Sequence, residues 1–298
     1  MTFRRWSVAT TFRRWSVATT FRRWSVATTF RRWGVATLAA AALFTPALTA
    51  CSGTGTEPDT PGAPGADSPA IPTDAKEALL ASTKEITKGN FTFSMTGADL
   101  DGQGFVHAPS KSAQMNMKAG GDEFSMDMEI IYIEPESWVK LTVTGAEDVP
   151  GLEKLNSGKY QHLDQSKIKG TRGLGFDFTD VDPAGSEALT RAIVDVQKTG
   201  EGTYTGTIDL TRATDAGMVD EDAVKLLGDE ATKLPFDAKL DAEGRLTSLT
   251  IQLPAVAGGK AQELTVGYSD YGAASPAKAP PAAEVVEASP ETYELFNK

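Results

Sequence analysis

The chain has 298 residues, 40% of them apolar and 23% charged, with a single cysteine. Eight of its 29 Lys and Arg are arginines within the first 50 residues, where no Asp or Glu occurs, so the rest of the chain sets 21 basic against 40 acidic side chains, a net charge of about −19. That balance excludes nucleic-acid binding as a main function, and one cysteine excludes a disulfide framework and a Cys-based zinc site. In chain order, residues 2–37 are four head-to-tail copies of a nine-residue unit, TFRRWSVAT three times and then TFRRWGVAT. A period of nine is too short for a solenoid repeat, and each copy carries an Arg-Arg pair, so the segment reads as the duplicated basic front of a secretory signal. An uncharged apolar run from Gly34 to Ala47 follows. It suits the apolar region of such a signal and is short for a transmembrane span.

The run ends in Leu48-Thr49-Ala50-Cys51-Ser52, which resembles the bacterial lipoprotein cleavage box. There, small residues precede a cysteine whose thiol receives a diacylglyceryl group before cleavage. The resemblance implies lipidation at Cys51 and an extracytoplasmic protein anchored to the outer face of the cell membrane. Two acyl chains meet the two-signal condition for lasting anchorage. An ordinary signal peptide with an incidental cysteine is the alternative. Glycine after Arg31-Arg32-Trp33, where a twin-arginine signal wants an apolar side chain, favours export of an unfolded chain. Residues 1–50 are therefore taken as the signal peptide, and residues 51–73, almost wholly Gly, Pro, Ser, Thr and Asp beyond the cysteine, as a disordered tether.

A single domain is expected over residues 74–272. Asp74 and Glu77 form the Asp-x-x-Glu capping pattern of a helix carrying Leu79, Thr83 and Ile86, which Gly89 stops. The period then becomes two. Phe91, Phe93 and Met95 alternate with polar residues, as do Met115 and Met117, then Phe124, Met126 and Met128. A slip at Ile130-Ile131 suggests a bulge or bend, and Trp138 to Val143, with Val139 and Leu141 on its apolar side, is a further strand behind Glu134-Pro135-Glu136. Asp182-Pro183 should open a second helix presenting Leu189, Ala192, Ile193 and Val196, followed by a strand from Tyr204 to Leu210 and a third helix over Asp220 to Leu227. A hairpin from Phe236 to Leu253 turns at Asp241-Ala242-Glu243-Gly244, Glu263 to Tyr268 is the last strand, and residues 273–298 read as an unstructured Ala/Pro-rich tail. The fold class expected is α+β: one strongly curved antiparallel sheet with three helices against its apolar face.

This order of elements resembles the LppX/LprG-type lipoproteins of actinobacteria over residues 75–287. The likeness is carried by Tyr268-Ser269-Asp270-Tyr271-Gly272 with Ala279-Pro280-Pro281-Ala282-Ala283-Glu284-Val285, and by Ile131-Tyr132-Ile133 with Trp138-Val139-Lys140-Leu141. The resemblance implies a LolA-like half-barrel, in which a sheet wraps helices around an apolar cavity holding the acyl chains of envelope lipids, with no catalytic residues. The chain departs from it in a Gly-rich polar insertion from Lys169 to Asp182 and in the signal repeat.

The residues expected to line such a cavity are Phe91, Phe93, Met95, Met115, Met117, Phe124, Met126, Met128, Val139, Leu141, Leu189 and Ile193. Methionine is flexible and polarisable, which suits a surface that adapts to loose chains, yet the same stripe would also serve as ordinary core. Other chemistry finds little purchase. Asp99-Leu100-Asp101-Gly102-Gln103-Gly104 has Ser110 where a calcium loop needs its final Glu, and reads as a hairpin turn. His107 and His162 have no ligand at metal spacing. No Gly-x-Ser-x-Gly elbow occurs, Gly170 to Gly175 does not join a strand to a helix, and Asp99/Asp101 and Asp220/Glu221/Asp222 suit any acidic surface, although a paired-carboxylate hydrolase stays open. The expectation is a non-enzymatic lipoprotein without cofactor or metal. Its expected partners are an acylated lipid or glycolipid, the membrane through its anchor, and an envelope protein. The alternative is an envelope sensor or scaffold with a packed interior.

Overall fold

The structure, a computed structural model, describes residues 71–97, 100–120, 125–145, 157–168, 178, 181–213, 221–255 and 260–297. The signal repeats, Cys51, nearly all of the tether, Phe124 and most of the insertion from Lys169 lie outside the described residues. The described part is a mixed α+β fold built on a large, mostly antiparallel open sheet of twelve strands with few helices.

Helix α1 (Ala75–Ser82) forms as its cap dictates: the Asp74 carboxylate accepts the Glu77 N–H at 2.9 Å, and the helix buries Ala78, Leu79 and Ser82. A 3₁₀ turn at Ile86–Lys88 ends on Gly89 at φ 67°, a left-handed conformation that releases the chain into the sheet. The first meander comprises β1 (Asn90–Gly97), β2 (Leu100–His107), β3 (Ser112–Gly120), β4 (Ser125–Ile133), β5 (Glu136–Thr144) and β6 (Tyr160–Leu163). After α2 (Ser186–Arg191) come β7 (Ile193–Gly200), β8 (Thr203–Ile208), α3 (Glu221–Leu227), β9 (Leu234–Leu240), β10 (Leu246–Leu253) and β11 (Gln262–Ser269). The C-terminus supplies β12 (Val285–Glu287) and α4 (Pro290–Asn297). Across the sheet the order is β12-β6-β5-β4-β3-β2-β1-β11-β10-β9-β8-β7. Two meanders are thus joined in the middle by β1 against β11, with Phe93 opposite Tyr268 and Met95 opposite Val266.

Because side chains alternate along a strand, registered partners fall in rows on one face. Phe91, Val106, Ala113, Tyr132, Ser137 and Leu163 form one buried row across β1 to β6. Residues of α1 and α2, notably Leu79 and Leu189, belong to the same hydrophobic cluster as these rows, and Val224 and Leu227 of α3 pack against it. The other face of β1 to β5 is mostly polar.

Several local expectations are corrected. The second helix begins at Ser186, after Gly185 at φ 64°, and ends at Arg191; Ile193 opens β7, so Ile193 and Val196 are strand residues. The β-branched run Ile193-Val194 favours pairing with β8 over a further helical turn. Leu210 falls in a 3₁₀ turn beyond β8. The Ile130-Ile131 slip is no bulge, since β4 pairs with β3 and β5 without a register shift; Ile130, Ile131 and Tyr132 are all buried, so both faces are covered there. Gly102 and Gly104 are not turn residues but lie inside β2.

The C-terminal segment, expected to be unstructured, is laid along the sheet. Gly272 N–H donates to Asn90 O at 2.8 Å, Ala277 N–H to Ser112 Oγ at 3.0 Å, and β12 pairs parallel to β6 at the sheet edge. Helix α4 buries Thr292, whose hydroxyl donates to Gln161 Oε1 at 2.5 Å, and Tyr293 Oη accepts the Asp164 N–H at 2.9 Å. The segment's apolar residues are mostly alanine, and backbone and side-chain hydrogen bonds hold it in place, with Ala288 and Tyr293 packed against the core.

The glycines of β2 give a paired prediction. A Cβ on Gly104 would lie 2.3 Å from Gln114 O and 3.0 Å from the Phe93 ring, whereas one on Gly102 would meet only Met side-chain carbons and a carbonyl at 3.6 Å or more. Gly104→Ala should therefore cost about 1–3 kcal/mol in urea unfolding, and Gly102→Ala less than about 1 kcal/mol. A second prediction concerns His162, which stands on β6 between Glu136 of β5 and Glu287 of β12. Its Nε2 contacts Glu136 Oε2 and its Nδ1 lies 3.4 Å from Glu287 Oε1; the Trp138 ring is the remaining close group. The Glu136 hydrogen bond holds the imidazole above its usual value. The folded-state pKa being the higher, this clamp contributes fully below about pH 6.5 and fades as pH rises through the raised value. With the Glu side chains 50% and 79% exposed, its contribution is about 0.2–1 kcal/mol. The stability advantage of the native chain over His162→Gln should shrink in urea titrations as pH rises from about 6.5 through the raised value.

Candidate functional site

The apolar face of β1 to β5 is the site that the sequence singles out, and register decides which of its residues meet. One row reads Phe93, Gly104, Met115, Ile130, Val139 and Gln161; the next reads Met95, Gly102, Met117, Met128 and Leu141. Met126 lies one row further on, between Ala119 and Val143. The methionines expected to share a face therefore do so. Glycines stand beside them: Gly102 sits between Met95 and Met117, and Gly104 between Phe93 and Met115, so β2 leaves a side-chain-free trough that its neighbours fill.

Phe91, Phe93, Met95, Met115, Met126, Met128, Val139 and Leu141 are buried, as are Leu189 on α2 and Ile193 at the start of β7, while Met117 is partly buried against the same cluster. Phe124 and Cys51 lie outside the described residues. The fractional exposures, 0% for Phe91 and Leu141, 6% for Met95 and 9% for Met115, show a face covered by its neighbours, with less shielding at Met95 and Met115 than at Met126, which is 1% exposed.

One polar cluster in this interior joins α2 to β11. The Asp182 carboxylate accepts the N–H groups of Ser186 and Glu187 at 3.0 and 2.8 Å, so it caps α2 from outside the first turn. Ser186 Oγ and Tyr268 Oη are 2.8 Å apart, and Tyr268 packs edge-on to Phe91 at 5.4 Å. Burial, and then the nearby Asp182 charge, push the Tyr268 phenol well above its ordinary value; burial likewise raises Asp182, against the two backbone donors. Each group has its partners, and the cluster is an anchor for α2 rather than a nucleophile with a base.

Among the described residues no three His, Cys, Asp or Glu side chains gather as metal ligands, and no helix is long and apolar enough to cross a membrane. A cavity of about 520 Å³ opens on the opposite, polar face of β1 to β5. Besides Met95, Gly102, Met117 and Met128, its lining is polar, and those polar residues are not singled out as a site by the sequence. The available signal was the other half of the same alternation, from Ser94 and Thr96 to Lys140 and Thr142. Compared with known protein families and with curated proteins, the chain matches no family model and no curated relative.

Proposed function

We propose that this protein is a lipid-anchored, extracytoplasmic carrier that binds the acyl chains of a lipid or glycolipid by burial, without covalent catalysis. The observation that carries the reading is the row Met95, Gly102, Met117, Met128 and Leu141 on the apolar face. Unbranched thioether side chains beside a side-chain-free strand position can repack around a flexible chain at little cost in rotamer strain. In this reading the sheet curls as a half-barrel about α1, α2 and α3, whose apolar sides join the same cluster. The acyl chains would enter between sheet and helices by displacing methionines.

Diacylglyceryl modification at Cys51 supplies the anchor, and the Gly/Pro-rich residues after it let the domain reach to and from the membrane. Two 16-carbon chains bring on the order of 20 kcal/mol of gross transfer energy, most of it cancelled because the lipid leaves another apolar environment. Such a protein exchanges lipid with an envelope partner rather than extracting it irreversibly. The second reading, an envelope scaffold or sensor with a packed interior, draws on the complete burial of Phe91, Val139 and Leu141.

Native mass spectrometry of the protein purified from a lipid-rich host separates the two. The carrier reading expects a co-purified mass of one lipid, or its uptake on incubation with vesicles. A lipid-free protein that takes up none overturns it in favour of the scaffold. Anchoring is checked by Cys51→Ala, which should release the folded protein from membranes; retention through a high-salt wash would refute lipidation at that residue.

A further inference from the structure

The cavity of about 520 Å³ lies on the face turned away from the methionines. Its floor is the backbone of the row containing Met95, Gly102, Met117 and Met128, and its walls are the two polar rows on either side. One wall reads Ser94, Gln103, Asn116, Glu129 and Lys140 from β1 to β5; the other reads Thr96, Asp101, Lys118, Asp127 and Thr142. The result is a trough running across the strands, about 19 Å long by four interstrand steps of about 4.8 Å.

The charges in these walls are largely engaged with one another. Lys118 Nζ is 3.8 Å from Asp127 Oδ1. The Lys140 ammonium lies 5.3 Å over the Tyr160 ring, and Glu129 accepts from Gln114 Nε2 at 2.9 Å. Burial, and then the nearby Glu129 carboxylate, push the Tyr160 phenol up to about 12, so it remains neutral. By contrast, the hydroxyls and amides of Ser94, Thr96, Gln103, Asn116 and Thr142 make no hydrogen bond among the described residues. Two lysines against three carboxylates leave the lining nearly neutral in a chain that is otherwise strongly acidic.

We propose that this trough binds an uncharged oligosaccharide laid across β1 to β5. Hydroxyl and amide groups on β1, β2, β3 and β5 with no hydrogen bond among the described residues match a chain that offers donors and acceptors at every unit, and the Asp101 carboxylate, which has no ion pair among the described residues, accepts from sugar hydroxyls. A polyanion would meet the net negative charge of the domain, and an apolar peptide would find no exposed apolar side chain on these walls. The volume falls in the range of ligand clefts. This site is independent of the acyl-chain reading, since it lies on the other face of the sheet.

The test uses the full chain in a sugar-free detergent, screened against an array of neutral linear tri- to hexasaccharides, with a heparin tetrasaccharide and an extended Ser/Gly peptide as rival ligands. At least one neutral oligosaccharide should bind with a Kd below about 1 mM. The double change Gln103→Ala with Asn116→Ala should weaken it by about tenfold or more, and Thr142→Trp, which fills the trough, should abolish it. These positions face solvent, and an unchanged unfolding midpoint identifies loss of binding as local. The proposal is overturned if no neutral oligosaccharide binds, if only the heparin fragment or the peptide does, or if both variants bind as the native chain does.

Discussion

The pairing of β1 with β11 is the constraint on which the rest of the structure depends. Each meander on its own has two open edges; laid side by side through Phe93–Tyr268 and Met95–Val266 they become one sheet with a continuous apolar face. Tyr268 illustrates the dependence. It lies on β11, stacks its edge against Phe91 of β1 and reaches Ser186 of α2, so one side chain ties both halves and a helix together. Ladders between distant segments form only after a large loop is closed, so this junction is a costly contact in folding and both faces inherit their register from it.

Once the register is set, period two sorts the chemistry. The same five strands carry methionine, Phe91, Phe93 and glycine on one side, and on the other lysine, carboxylate, amide and hydroxyl groups beside one row that includes Phe105, Ile131 and Trp138. A slip of one residue in any strand would exchange the two sets, so the register is held by the burial of one of them. The two proposed sites are therefore the two faces of one object: an apolar surface of adaptable side chains, and a polar trough with the backbone of the methionine row as its floor.

The edges are managed by different means. At one edge, β7 is bulged near Val194 and Thr199 and carries Lys198, features that discourage further pairing. At the other, β12 and α4 cover β6, held by Gln161, Thr292 and the His162 cluster. The cover is reached through an Ala/Pro-rich stretch with no periodic apolar pattern, which is why its sequence resembles a free tail.

The sequence by itself determined the elements whose signal is local. Asp74 with Glu77 sets the start of α1, Gly89 its release, Asp241 to Gly244 the turn of the hairpin, and alternation the inward set of Phe91, Phe93, Met95 and their counterparts. Asp182 was legible as a helix cap, but not that it would cap from three residues before the left-handed Gly185. Only the tertiary structure decided which strands adjoin, that Ile193 belongs to a strand, that Gly102 and Gly104 stand among aromatic and Met side chains, and that the C-terminus completes the sheet. Caps, turns and alternation are fixed by interactions among residues a few positions apart, whereas pairing partners, edge cover and the trough depend on contacts between segments far apart in the chain, whose free energy no short stretch of sequence contains.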